Sequence, residues 1–274
     1  MVVPGYALVR PLSSGGGPTE VWSAAPAGGG ALVALKIQRP GLPNDQRLRF
    51  AQEGTLLRQF GGRHGLITCL GVVAVPPCLV LELMPGGNLR DRIDRSPLSQ
   101  AEVVRLGLDT ARTLQWLHHH EVVHRDLKSS NILLAADGST RVTDLSVAAG
   151  GSPPRALPEG WIEESVGTLG YAAPELLRDA ATATPLVDIY GLGVVLYESL
   201  TGRLPLMMVG DEDEDQLRAR ILAGARPVLL EPGVDADRWL TDAIMRAIDP
   251  DPAARFQSAG QFAEALNRKQ LSEV

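Results

Sequence analysis

The hydrophobic pattern of this 274-residue chain changes period at PGGN, Pro85–Asn88, and that change limits the folds open to it. Ahead of it lie short β-compatible runs: Tyr6–Leu12, Val21–Ala24, Ala31–Ile37, Ile67–Val75 and Cys78–Leu83. They are parted by Gly/Ser/Pro turns such as SSGGGP and PAGGG. One helix is expected among them, near Asp45–Phe60, with apolar positions at Leu48, Ala51, Leu56 and Leu57. Behind the break the helical period takes over. Ser99 can cap a long helix through Leu117, and Glu102 completes a capping box. Val103, Leu106, Ala111, Leu114 and Leu117 would line its inner face. Asp188–Leu200, Asp215–Leu222, Asp237–Ala247 and Ala259–Leu266 also read as helices. Strands first and helices second predict an α+β protein of two lobes hinged near Met84–Gly87, with residues 1–84 in one lobe and 85–274 in the other.

Composition narrows the function classes. Aromatic residues are only 4% of the chain, so the core must be built from Leu, Val, Ala and Ile. The formal charge is −6, and five of the negatives sit together in Asp211–Asp215, which leaves the remainder at −1. That balance gives no basic footprint for nucleic acid. The acidic run reads as a solvated helix start, favoured by the helix dipole. Cys69 and Cys78 lie in apolar runs and read as buried thiols, since a disulfide framework needs more cysteines and a secretory signal. MVVPGYALVR lacks a charged region followed by an apolar core, so no signal peptide is read. The longest apolar segment, Ile189–Leu196, is too short to span a bilayer. A cytoplasmic protein is expected.

The chemistry concentrates in HRDLKSSNILL, His124–Leu134, and in a second aspartate, Asp144, that ends RVTD eighteen positions after Asp126. Two acids with Lys128 and Asn131 between them suit phosphoryl transfer from a metal-bound nucleotide. One carboxylate orients the attacking hydroxyl, while the other, with an amide oxygen, holds Mg²⁺ against the phosphates. The run His118–His120 suggests a metal site, but consecutive helix-end residues point in different directions, and the three read as solvated or capping.

Taken in order, these motifs resemble a eukaryotic-type (Hanks-type) serine/threonine protein kinase catalytic domain from about Tyr6 to Leu266. VALK places Lys36 on the third strand, and Glu53 lies on the next helix. LVLELMPGGNL resembles the hinge, HRDLKSSN the catalytic loop and DLS the metal-binding triplet. GTLGYAAPE resembles the end of the activation segment, DIYGLGVVLYESLTG the buried central helix and DPDPAARF a late arginine motif. Alanine, glycine, leucine and arginine richness suggests a bacterial member.

The resemblance implies a bilobal protein-kinase-like fold and ATP with Mg²⁺ as cofactors. It implies Lys36 paired with Glu53 and holding phosphates, Asp126 as the proton acceptor, Lys128 on the γ-phosphate, and Asn131 and Asp144 as metal ligands. The Glu82 carbonyl and Met84 amide would meet adenine, with Leu81 at the back and Val21, Ala34 and Leu133 as apolar walls. His124 would pack inward beside Leu57 and Leu145. Glu175 and Arg255 would form a buried ion pair, and Asp188 would anchor the catalytic-loop backbone. Lys128 with Thr168 in the docking loop implies protein Ser/Thr hydroxyls as acceptors. Arg125 would receive an activation-segment phosphate, with Ser152, Ser165 and Thr168 available. Apart from the resemblance, Glu163 and Glu164 read as solvated, with a charge supplied to Arg125 as the alternative.

Two departures from the family pattern matter. The phosphate-covering loop reads SSGGGPTEV, where Gly15 or Gly16 serves as the central glycine and Pro18 or Thr19 replaces the third. Proline removes an amide donor there. Asp144-Leu145-Ser146 stands where Asp-Phe-Gly is usual, and a left-handed backbone at serine would cost about 1–2 kcal/mol. These motivate a rival reading, a pseudokinase acting as a nucleotide-binding scaffold. A small-molecule phosphotransferase of related fold is disfavoured by AAPE and Arg255.

Overall fold

The computed structural model describes residues 2–13, 17–150, 169–179, 183–226 and 236–267. A five-stranded antiparallel sheet comes first, built from β1 (Tyr6–Pro11), β2 (Thr19–Pro26), β3 (Val33–Gln38), β4 (Cys69–Val73) and β5 (Cys78–Glu82). Its order is β1-β2-β3-β5-β4. All six residues of β3 are buried, as a central strand covered on both faces requires. Leu35 and Ile37 pack on one face with Val33, Cys78 and Val80. On the other face the register sets Val21 opposite Lys36 and Ala34 opposite Leu81.

α1 (Asn44–Phe60) crosses between β3 and β4. Its inward face is Phe50, Glu53, Gly54, Leu57 and Phe60, and not the expected stripe, for Leu48 and Ala51 are exposed. The true i, i+3, i+4, i+7 row includes a glutamate, so a count of apolar residues alone places the face wrongly. Cys78 is buried, whereas Cys69 on the edge strand β4 is only half-buried, which corrects the expectation of two buried thiols.

Beyond β5 the chain turns at Met84–Gly87, where Gly87 N–H donates to the Met84 carbonyl at 3.2 Å. The helical part comprises α2 (Leu89–Ile93), α3 (Gln100–His119), α4 (Pro174–Arg178), α5 (Leu186–Thr201), α6 (Glu214–Leu222), α7 (Arg238–Ala247) and α8 (Ala259–Asn267). Ser99 and Glu102 form the capping box at the start of α3, and all five inner-face residues expected there are buried. Asp213 in the acidic run caps α6 through the Gln216 N–H, and Glu212 pairs with Arg220. Those acids therefore hold local structure.

α5 is the axis of the second lobe. Its residues from Val187 to Leu200 are all buried, which marks a helix surrounded by others. Gly193 makes this possible: a Cβ there would stand 2.6 Å from Ile248 Cγ2 and 2.8 Å from Ala247 Cβ. Four short strands lie against this lobe. β6 (Val122–Val123) pairs with β9 (Ala149–Gly150), and β7 (Ile132–Leu134) with β8 (Thr140–Val142). Among the described residues no helix is long and apolar enough to cross a membrane. The fold is α+β, with a sheet-rich and a helix-rich part.

Candidate active site

The β7–β8 hairpin closes the sequence gap between the two acids. Pairing of Ile132 with Val142 brings the Thr143 N–H onto the Asn131 carbonyl at 3.0 Å. Asn131 and Asp144 therefore emerge side by side from one end of the hairpin. Asp144 has φ +67°, in the left-handed region, and its Oδ1 accepts the Ser146 N–H at 3.3 Å. Aspartate tolerates that backbone because its side chain bonds its own turn. Ser146 is not among the residues of positive φ, so the strain expected at the serine is absent. The left-handed residue is the aspartate itself.

Three elements converge on Lys36. From β3 its Nζ reaches both Glu53 oxygens at 2.8 Å and Asp144 Oδ1 at 2.9 Å. The Leu145 backbone amide also favours the ionised form of Glu53. One ammonium thus ties the sheet, α1 and the segment after β8 together. Burial opposes the charge on Lys36, but the carboxylates of Asp144 and Glu53 outweigh it and raise its pKa. Burial likewise works against Asp144, yet the Lys36 ammonium holds its carboxyl well below the usual range. Burial pushes Glu53 up to about 7, against the pull of Lys36.

Asp126 is held from below. Lys128 Nζ lies 2.8 Å from its Oδ2, and Asn131 Nδ2 donates to its carbonyl at 2.8 Å and its Oδ2 at 3.1 Å. Its Oδ1 is buried and accepts no hydrogen bond among the described residues. Burial raises the Asp126 pKa, with the Asp144 charge acting the same way and Lys128 opposing.

The loop bearing Asp126 is fixed to α5. Asp188, 1% exposed, accepts the His124 N–H on Oδ2 and the Arg125 N–H on Oδ1, each at 2.8 Å. Arg125 is itself left-handed at φ +67° and buried. Gly191 lets α5 come this close, since a Cβ there would meet the Leu127 carbonyl at 3.1 Å. His124 is fully buried, and Leu57 and Leu145 belong to one core cluster. Its Nε2–H donates to the Thr143 carbonyl at 3.0 Å and its Nδ1 accepts the Asp126 N–H at 3.2 Å, so neither nitrogen is left for a metal.

The histidine run needs correction at one position. His118 is neither solvated nor capping: its Nε2 bonds Asp188 Oδ2 at 2.8 Å from a nearly buried position. His119 and His120 turn back to the carbonyls of Gln115 and Trp116, 2.8 Å each. Among the described residues no cluster of His, Cys, Asp or Glu could hold a metal on its own.

Other expected positions fall as follows. Val21, Ala34 and Leu81 share the Lys36 face of the sheet. Met84 is buried, and Leu133 lies on β7 against the core. Glu82 ends β5 with its carboxylate on the Thr68 N–H and hydroxyl, 2.8 Å each. Arg255 is fully buried and bidentate with Glu175, at 2.7 and 2.9 Å. Gly15, Gly16, Ser152, Glu163, Glu164, Ser165 and Thr168 lie outside the described residues.

The site suits a hard cation bridged to phosphates. Asp144 Oδ2 and Asn131 Oδ1 carry no hydrogen bond among the described residues, and two protein oxygens are what Mg²⁺ takes when substrate oxygens and water complete its shell.

A family model described as a protein kinase domain matches residues 9–268. The chain belongs to the protein kinase family. Relatives of this kinase domain include the protein named probable serine/threonine-protein kinase PkwA of Thermomonospora curvata, 36% identical over 74% of the chain and 27% of that protein. Serine/threonine-protein kinase drp72 of Corynebacterium efficiens is 30% identical over 99% of the chain and 52% of its own length. PknA of Corynebacterium glutamicum is 28% identical over 94% and 55%. The chain thus spans about half or less of the length of these relatives.

Proposed function

We propose that this kinase domain transfers the γ-phosphate of ATP to serine and threonine hydroxyls of proteins. The observation that carries the reading is one cluster: Lys36 bonded to both Glu53 and Asp144, beside an Asp126 whose Oδ1 is buried and unengaged among the described residues. Asp126 Oδ1 is the acceptor for the hydroxyl proton, and its raised pKa suits a group that must take up a proton. Lys128, now paired with Asp126, moves onto the transferring phosphate. Lys36, kept charged by its two carboxylates, orients the α and β phosphates. Asn131 and Asp144 would hold Mg²⁺, which when bound neutralises phosphate charge. Val21, Ala34, Met84 and Leu133 would enclose the adenine, and the lobes would divide at residue 84. Two free thiols fit a cytoplasmic setting.

The test is labelled ATP with Mg²⁺ and a generic basic protein substrate, run beside Asp126→Asn. Label on serine or threonine, lowered about 10²–10⁴-fold by the substitution, supports the enzyme. ATP binding without incorporation in the parent overturns it in favour of a nucleotide-binding scaffold.

A further inference from the structure

The catalytic loop is pinned to α5 at two places, and only the first was expected from sequence. Asp188 takes the backbone at His124 and Arg125. Ten residues further along α5, Glu198 reaches the other end of the loop through an intermediary. Glu198 is fully buried and accepts the Tyr171 hydroxyl on Oε2 at 2.6 Å. Tyr171 Oη lies 2.9 Å from Ser129 Oγ, and Ser129 is 1% exposed. The other Glu198 oxygen is bound by Arg90 of α2, which also grips Asp94.

The polarity of this chain follows from its members. Tyr171 has one proton, and it goes to the carboxylate. Ser129 must then donate to Tyr171, so every bond in the row points toward Glu198, whose charge Arg90 balances. Ser129 opens the turn Ser129–Asn131, and its carbonyl accepts the Ile132 N–H. The Asn131 N–H donates to the Lys128 carbonyl at 2.9 Å. Whatever holds Ser129 therefore sets where Lys128 and Asn131 stand relative to Asp126.

We propose that Ser129 is a positioning residue, held through Tyr171 and Glu198 by Arg90, which fixes the Lys128–Asn131 turn under Asp126 for phosphoryl transfer. The inference rests on the kinase reading for its kinetic consequence, but the relay itself is measurable without turnover. Burial and the Glu198 carboxylate raise the Tyr171 pKa, so the phenol stays a donor across the working pH range.

Ser129→Ala and Tyr171→Phe each delete one oxygen and leave the surrounding volume nearly unchanged. Each should lower kcat about three- to tenfold, the worth of one hydrogen bond, with KM for ATP unchanged. The double variant should be no worse than the poorer single one, because both remove the same link. A merely structural role would lower the melting temperature without that kcat-only, non-additive pattern. Unchanged kcat in both variants, or fully additive losses, overturns the proposal. If the parent transfers no phosphate, the kinase reading fails separately, and amide exchange decides the relay. Faster exchange at Asn131 and Ile132 in both variants upholds it, and parental exchange rates there overturn it.

Discussion

Asp188→Asn should destabilise the protein by about 2–4 kcal/mol although it changes no volume. The carboxylate serves three donors: Arg125 N–H on Oδ1, and His124 N–H and His118 Nε2 on Oδ2, all at 2.8 Å. An asparagine has one acceptor oxygen. Placed at the Oδ1 position it keeps Arg125 and turns an NH₂ toward the His124 N–H. Flipped, it keeps His124 and turns the NH₂ toward the Arg125 N–H. Either way one buried backbone donor faces another donor, which costs about 1–3 kcal/mol, and the surviving bonds drop from charged to neutral acceptors for roughly 1 kcal/mol more.

The pH dependence gives a second handle on the same residue. Burial pushes the Asp188 carboxyl up, but its hydrogen bonds and the nearby histidines outweigh this and hold it below the ordinary 3.8. Its contribution is therefore fully present above pH 3.8 and is lost as pH falls through the lower folded-state value. Asp188→Asn should lack that acid-dependent loss. Urea unfolding followed by tryptophan fluorescence at pH 7 and across the acid range reads both effects. A loss below about 1 kcal/mol at unchanged m-value would refute the reasoning, because a two-donor clash cannot be that cheap.

Two further outcomes follow from burial. Glu53, raised from 4.5 to about 7, keeps a proton in the folded chain that the unfolded chain releases, so its contribution to stability falls as pH rises through that window. Glu53→Gln should flatten the melting temperature between pH 5 and 7, and an identical slope in both proteins would contradict this. Cys78, fully buried with its thiol pushed up to about 12, should resist iodoacetamide at pH 8 until urea unfolds the protein, as peptide mass spectrometry would show. Modification of the folded chain at the unfolded rate would count against that packing.

Long elements and ordered motifs were readable in the sequence because each repeats its signal. The six residues of β3 form a β-compatible run set off by turn residues, the twenty of α3 offer enough turns to declare a period, and the Ser99–Glu102 box marks a boundary chemically. β6, β7, β8 and β9 have two or three residues each, and α2 has five, so no period can form; tertiary pairing alone makes them. β7 and β8 nonetheless bring Asn131 and Asp144 side by side. The sequence does not separate His118 from its two exposed histidine neighbours, and only the approach of α5 shows which one turns inward. Lys36, Glu53, Asp126, Asn131 and Asp144 stood out as chemical types. The Arg90–Glu198–Tyr171–Ser129 row did not, since its members come from four separate elements and match no local spacing. Ser146 looked strained by analogy with glycine, but the hairpin places the left-handed turn two residues earlier.

The most direct test of the account is single-turnover transfer from a prebound ATP·Mg²⁺ complex to a peptide bearing both serine and threonine. The parent should convert bound ATP to phosphopeptide, while Asp126→Asn should bind ATP comparably and transfer about 10²–10⁴ times more slowly. Equal rates in the two proteins, or a parent that holds ATP and transfers nothing, would contradict the assignment of Asp126 and of the cluster around Lys36.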